Sequence, residues 1–313
     1  MIMCVQKVVV AAVALLIALP AVAQDRRGDG ESERISRKFK IGATGRLTLS
    51  NISGDIVLTA GSGDEMTMEA VKRTRGARSE LASIVIDIDE RPGRVDIRTR
   101  HTARRDRGSV DYMVTVPRQA TVDLSSVSGG VRVTNLNGAL RAQSISGTVA
   151  VSESTNLEFA KSISGDVELS GSAPEARMTG STVSGTVRVR DLKARALSLS
   201  AISGNAEVSN VEVERLEAKS VSGDVSLAGA IARNGRYEFS THSGSVRLTL
   251  ASAPGFELNA STFSGSIQSD LPVTINDVRS RRGPGRTMRA VVGDGGATLT
   301  VSTFSGNVVI RKQ

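Results

Sequence analysis

The sequence predicts an all-β chain, a parallel β-solenoid (β-helix-like) with two short strands per rung of about 19 residues. Three observations predict it. An octet, "SVSGDVSL" at 220–227, returns as "SISGDVEL" at 162–169 and as "NISGDIVL" at 51–58. Its glycine recurs at Gly54, Gly129, Gly147, Gly165, Gly185, Gly204, Gly223, Gly244, Gly265 and Gly306, with spacings of 18 to 21 residues from Gly129 to Gly265. On either side of it the apolar residues alternate, which is the period of a half-buried strand.

Counted from the glycine, positions +2 and +4 are apolar, as in Val131/Val133, Val167/Leu169 and Val246/Leu248. Positions −7 and −5 repeat the pattern before it, as in Leu47/Leu49, Leu197/Leu199 and Leu299/Val301. Position −3 is Ser, Thr, Ala or Asn, and position −2 is Ile, Val or Phe except at His242. Serine always stands at −1. Each rung therefore reads as strand, corner, strand, loop. Glycine at the corner admits a left-handed backbone angle, and the serine hydroxyl is expected to bond corner amides. A rung this short cannot bury its own apolar face, so it must lie on the next rung, about 4.8 Å away. The competing architecture is a β-sandwich of hairpins, which would not need one corner repeated in every copy. Before Gly165 the apolar pair Leu157 and Phe159 falls out of step, which predicts a bulge.

The elements follow in order. Residues 1–23 read as a signal peptide: Lys7, an apolar run from Val8 to Leu19, then Ala21-Val22-Ala23 before Gln24. The alternative, a membrane anchor, needs a run of about 20 apolar residues. Residues 24–36 are polar and charged and read as a disordered linker. Residues 37–120 keep the alternation but lose the motif, and read as an irregular β cap continuous with the solenoid, or as a small separate β domain. Residues 121–313 carry the regular repeats, interrupted at about 276–292 by "VRSRRGPGRTMRAV", a hairpin or loop projecting from the rod. The variable loops, such as "SGSAPEA" and "AGAIARNG", fall on one edge, which is where a ligand is expected.

Composition narrows the chemistry. The only cysteine, Cys4, precedes the apolar run, so a processed chain has no thiol and no Cys-ligated metal. The net charge is +8, which favours an anionic envelope polymer or glycan. Arg98, Arg100, Arg104, Arg105 and Arg107 form one basic cluster. Arg279, Arg281, Arg282, Arg286 and Arg289 form the other, the candidate anion-binding residues. Nucleic acid is not expected: the chain has no Trp and two Tyr, too few for a stacking groove. His242 is expected as a partly buried corner residue and His101 as part of a solvated basic loop. Asp55, Asp166 and Asp224 follow the corner glycine and read as turn caps, since the glycine-rich calcium-binding nonapeptide is absent. No catalytic residue, metal site or cofactor is implied. No later segment is apolar enough to span a membrane.

The repeated "S-[IV]-S-G-D-V-x-L" rungs, "MVTVP" at 113–117 and the closing "GDGGATLTVSTFSGNV" resemble the bacterial putative-adhesin family of β-strand-repeat proteins, a domain of unknown function. The resemblance covers residues 37–312. It implies a β-solenoid exported to the periplasm, outer membrane surface or exterior, with adhesion proposed and no established activity. It supplies no catalytic or ligand residues. Two alternatives stay open: a polysaccharide-active lyase or hydrolase on a β-helix, recognisable by outward carboxylates on adjacent rungs, and a self-associating structural envelope protein built by rod stacking.

Overall fold

A computed structural model describes residues 31–102, 108–251, 255–271, 274–280 and 285–312. The signal-peptide reading and most of the linker lie outside the described residues, as do Arg104, Arg105, Arg107, Arg281 and Arg282. The chain is all-β. Its described strands join in a 24-stranded sheet, relieved by one 3-10 turn at Arg78–Ser83.

Each motif glycine marks a bend between two strands of a coil. The strand before the bend pairs in parallel with its counterpart in the next coil: Leu140 opposite Val122, Ala142 opposite Leu124, Leu216 opposite Leu197. The strand after the bend does the same, with Val149 between Val131 and Val167. Positions −7, −5, +2 and +4 point inward and merge into one continuous core. The bulge stands before Gly165: Leu140 pairs with Leu157 but Arg141 with Phe159, leaving Glu158 as the extra residue.

The expected positive backbone angle holds at Gly54, Gly129, Gly185, Gly265 and Gly306, but glycine is required at the other bends for a different reason. Gly147, Gly165, Gly204, Gly223 and Gly244 do not hold a positive φ. Instead, a Cβ on each would collide with the carbonyl oxygen of the glycine one coil away: Gly147 with Gly129, Gly204 with Gly185, Gly223 with Gly204. The bends superimpose so closely that no side chain fits between them. Nor does the −1 serine make the corner bond. The −3 residue makes it from inside. Ser144, Ser162, Thr182, Ser220 and Thr241 each donate a hydroxyl to the preceding glycine carbonyl, at 2.8–2.9 Å. Burying a hydroxyl is tolerable only with such a partner. The −1 serines from Ser128 to Ser305 lie exposed.

The residue after the glycine adds a second ladder outside. Asp55 Oδ1 accepts the Gly130 N–H at 2.7 Å, Asp166 that of Thr186 at 2.8 Å, and Asp224 that of Ser245 at 2.8 Å. These carboxylates therefore cap the turn of the next coil rather than their own. For Asp224, burial works against the charge, yet the Ser245 N–H and the Arg247 guanidinium together hold its carboxyl below the usual range.

Other arrangements also depart from the sequence reading. Residues 32–36, assigned to the linker, begin the strand Ser32–Lys40, which runs antiparallel to Glu65–Arg73 through nine paired residues. Two of the variable loops are partly built into the fold. In "SGSAPEA", Gly171–Ala173 pair with 192–194 and Ala173 is buried, while in "AGAIARNG" Ile231 is buried. Finally, the coils do not stack in chain order. The last strand before a bend, Ala297–Ser305, lies between Arg236–Ser243 and Phe256–Ser264, parallel to both. The spatial order of corners is thus Gly244, Gly306, Gly265. The Thr303 hydroxyl reaches the Gly244 carbonyl at 3.1 Å, and that of Thr262 the Gly306 carbonyl at 3.0 Å.

The basic insertion extends the sheet rather than projecting from it. Thr274–Ser280 and Arg286–Val292 form an antiparallel hairpin, and the second strand also pairs antiparallel with Phe256–Ser264. It covers the C-terminal end of the stack. At the other end, Arg94–His101 lies on Arg46–Ser53, and Ser109–Pro117 on Ile56–Gly61.

Candidate functional site

The alternation that sends −7, −5 and −3 inward sends −6, −4 and −2 outward. At −2 this exposes apolar residues in almost every coil. Ile52, Val127, Ile145, Ile163, Ile202 and Val221 are 36–51% exposed, and Phe304 and Phe263 are 47% and 46% exposed. Val183 is half-buried and His242 is exposed. Ten positions stacked at about 4.8 Å make a stripe about 43 Å long. Scattered single exposed apolar residues are ordinary, but an unbroken row is not.

The stripe changes character along its length. Aliphatic residues run from Ile52 to Val221. Three rings then stack: His242 on Phe304 at 4.8 Å and 9°, and Phe304 on Phe263 at 4.7 Å and 5°. His242 is thus an exposed member of a ring stack, correcting the expectation of a partly buried corner residue. Because Ala297–Ser305 is interposed, Phe304 stands between His242 and Phe263, an order that the chain sequence does not suggest.

Beside the stripe the sheet bends, and the −4 and −2 side chains line shallow grooves. One, of about 470 Å³, runs past Ser50, Ser125, Gln143 and Lys161 on one side and Ile52, Val127, Ile145 and Ile163 on the other. A second, of about 570 Å³, lies between Ser200, Lys219, Ser240 and Ser302 and the facing Ile202, Val221, His242 and Phe304. The floor is the buried −3 row. Lys219 is held protonated above its usual value, chiefly by hydrogen bonding to Glu217, and it also reaches Glu238 at 3.7 Å. Glu217 and Glu238 are adjacent outward carboxylates, the arrangement a glycan-cleaving site would use, but both are engaged by this lysine.

The remaining outward face is a lattice of ion pairs. Arg188 lies between Glu168 and Glu207 and contacts Glu207 at 3.1 Å and Asp166 at 2.9 Å. Arg195 bridges Glu175 and Glu214, at 3.6 and 3.8 Å. Such exposed pairs contribute little stability each. Among the described residues, no group of three or more His, Cys, Asp or Glu side chains could hold a metal ion.

Of the predicted basic residues, Arg98 lines the first groove beside Ser50 and Ile52, and the others described are not gathered at the stripe. Arg286 and Arg289 are both exposed on the hairpin, aligned with Ser280 and Asp277. They differ by three positions along one strand, so alternation sends them to opposite faces. Arg279 lies on the neighbouring strand, opposite Thr287. In the first cluster, Arg100 pairs with Asp87 across the hairpin, and its outer nitrogen reaches Asp87 at 2.9 Å. His101 is a half-buried strand residue rather than part of a solvated loop.

The stripe was readable in principle. Position −2 is an odd number of residues from −7 and −5, so parity alone places it outside while its hydrophobicity suggests the core.

The sequence profile of the Toastrack DUF4097 family matches residues 45–311. No curated protein matches the chain in sequence. Among solved structures the chain is similar to a putative cell adhesion protein from Clostridium sporogenes (TM-score 0.23, 7% identity, 90% of this chain and 100% of that one). It is similar also to a putative adhesin from Bacteroides fragilis (0.45, 13%, 89% and 97%). A third is a putative lipid binding protein from Parabacteroides distasonis (0.41, 15%, 90% and 98%).

Proposed function

Since the chain belongs to the Toastrack DUF4097 family, we propose that it is an exported, non-enzymatic binding or scaffolding module of the cell envelope. In this reading it is a β-solenoid of about 19 residues per coil that serves as a rigid ruler presenting one apolar edge. The observation that carries the proposal is the row of half-exposed apolar residues from Ile52 to Phe263, set beside polar grooves. The start of the chain supports export through its short apolar run and Ala-Val-Ala site. Among the described residues no helix is long and apolar enough to cross a membrane.

A second association rests on charge. The net charge of +8 and the exposed Arg286 and Arg289 favour an anionic envelope polymer or glycan. The test is retention of residues 24–313 on envelope fractions and glycan arrays. Specific retention, weakened by Ile163→Glu in the stripe, is the expected result. No retention of the folded protein by any fraction or glycan would overturn the binding reading. Loss of retention on Arg286→Glu with Arg289→Glu, and its salt sensitivity, would assign the anionic contact to the hairpin.

A further inference from the structure

We infer that the apolar stripe is a self-complementary interface and that its occupant is a second copy of this chain, docked antiparallel. The inference rests on the scaffolding reading above and names its partner. Three observations carry it.

The first is area. Aromatic side chains present about 150–250 Å², and aliphatic ones somewhat less, so residues near half exposure leave about 80 Å² each. Nine or ten such positions, at 36–51% for those most exposed, amount to roughly 700 Å² per copy. Two stripes face to face would bury about 1,400 Å², within the 1,200–2,000 Å² of a stable specific interface.

The second is fit. The corners run in the order Ile52, Val127, Ile145, Ile163, Val183, Ile202, Val221, His242, Phe304, Phe263. Antiparallel docking sets Ile52 against Phe263, Val127 against Phe304, Ile145 against His242, Ile163 against Val221, and Val183 against Ile202. Every ring then meets an aliphatic side chain, and no two rings collide across the interface. Parallel docking would put phenylalanine on phenylalanine at one end and valine on valine near the other, wedging the rods apart. A second copy also repeats at the same coil spacing, so its side chains stay in step over the whole length. The exposed −1 serines are small enough to let the rods close.

The third is what the rest of the molecule discourages. End-to-end stacking meets strands of high charge, "SERISRKFK" at Ser32–Lys40 and "IVIDIDER" at Ile84–Arg91, a recognised block to edge pairing. A sugar stacked on the aromatic end is disfavoured because the three rings lie parallel and cover one another's faces.

Sedimentation velocity on residues 24–313 over a wide concentration range tests the inference. A dimer is expected, and Ile145→Glu with Ile202→Glu should weaken it by about 100-fold or more, since the charges are buried on docking. Both positions are exposed in the single chain, so at a concentration low enough for both proteins to be monomeric the thermal midpoint should not move, which separates lost docking from lost folding. Residues 24–313 lack cysteine, so orientation is read by single substitutions: Ile202→Cys should cross-link two copies and Ile52→Cys should not. A monomer at every concentration overturns the inference, as does a dimer that survives the double substitution or one that cross-links through Ile52→Cys. A monomer that floats with phosphatidylglycerol vesicles overturns it in favour of a lipid surface. A monomer retained by envelope fractions overturns it while leaving the binding reading intact.

Discussion

Gly129→Ala and Gly130→Ala should behave oppositely, although the residues are neighbours. A Cβ on Gly129 would collide with the carbonyl oxygen of Gly54, which itself accepts the Asn51 amide at 2.9 Å. Relief would require opening the ladder, where Gly54 N–H donates to Ser128 at 2.9 Å and Gly129 N–H to Ser146 at 3.2 Å. Overpacking costs about 1–3 kcal/mol, and each weakened hydrogen bond about 0.5–1.5 kcal/mol. Gly129→Ala should therefore destabilise by about 3 kcal/mol and lower the melting temperature by roughly 6–10 °C. On Gly130 the nearest atoms to a Cβ lie at 3.5 Å, ordinary contact, and its N–H keeps the 2.7 Å bond to Asp55. Gly130→Ala should stay within about 0.5 kcal/mol, or stabilise by about 0.4–1 kcal/mol through a stiffer unfolded chain. Urea and thermal unfolding followed by circular dichroism read both variants. Because Gly129 also holds φ 151°, Gly147→Ala, which has no positive φ but meets the Gly129 carbonyl in the same way, serves as the control; a Gly147→Ala variant as stable as Gly130→Ala would refute the idea that corner glycines are required by carbonyl stacking.

Ser162 is fully buried and bonds the Gly147 carbonyl at 2.9 Å, so Ser162→Ala should cost about 1–2 kcal/mol in urea unfolding. Ala201 occupies the equivalent slot without a hydroxyl; Ala201→Ser should gain up to about 1 kcal/mol, and a loss of more than that would show that the slot has no room. Burial pushes the Tyr112 phenol up to about 12, partly offset by its hydrogen bond with Thr99. A raised folded value means stability that is whole below the unfolded value of about 10 and is lost as pH rises toward 12, by about 1.4 kcal/mol per unit. The urea midpoint should fall across that window, and Tyr112→Phe should flatten the fall. Deleting residues 297–313 strips Arg236–Ser243 and Phe256–Ser264 of their shared neighbour, so proteolysis should begin within 256–292 while the earlier coils resist.

Much of the site was legible. The ten glycines, the inward pairs and the bulge at Glu158 all leave local marks, because side-chain alternation and corner tightness act within a few residues. The hydroxyl at −3 was visible only as a preference for small residues. Its partner is a carbonyl one coil away, and spacing does not reveal which of two nearby serines turns inward. The ring stack was hidden for a different reason: Phe304 is 62 positions from His242 yet lies directly on it.

The sequence by itself determined the all-β class, the inward residues and the need for a corner without a side chain, since each depends on the period of the backbone. Only the tertiary structure decided the neighbours. Every coil ends in the same corner, so backbone pairing between any two coils is nearly equivalent, and chain order does not dictate stacking order. The closing strand could enter between two earlier coils because both offered it the same bonds. That entry, together with strand parity at −2, turned scattered apolar residues into one continuous exposed edge.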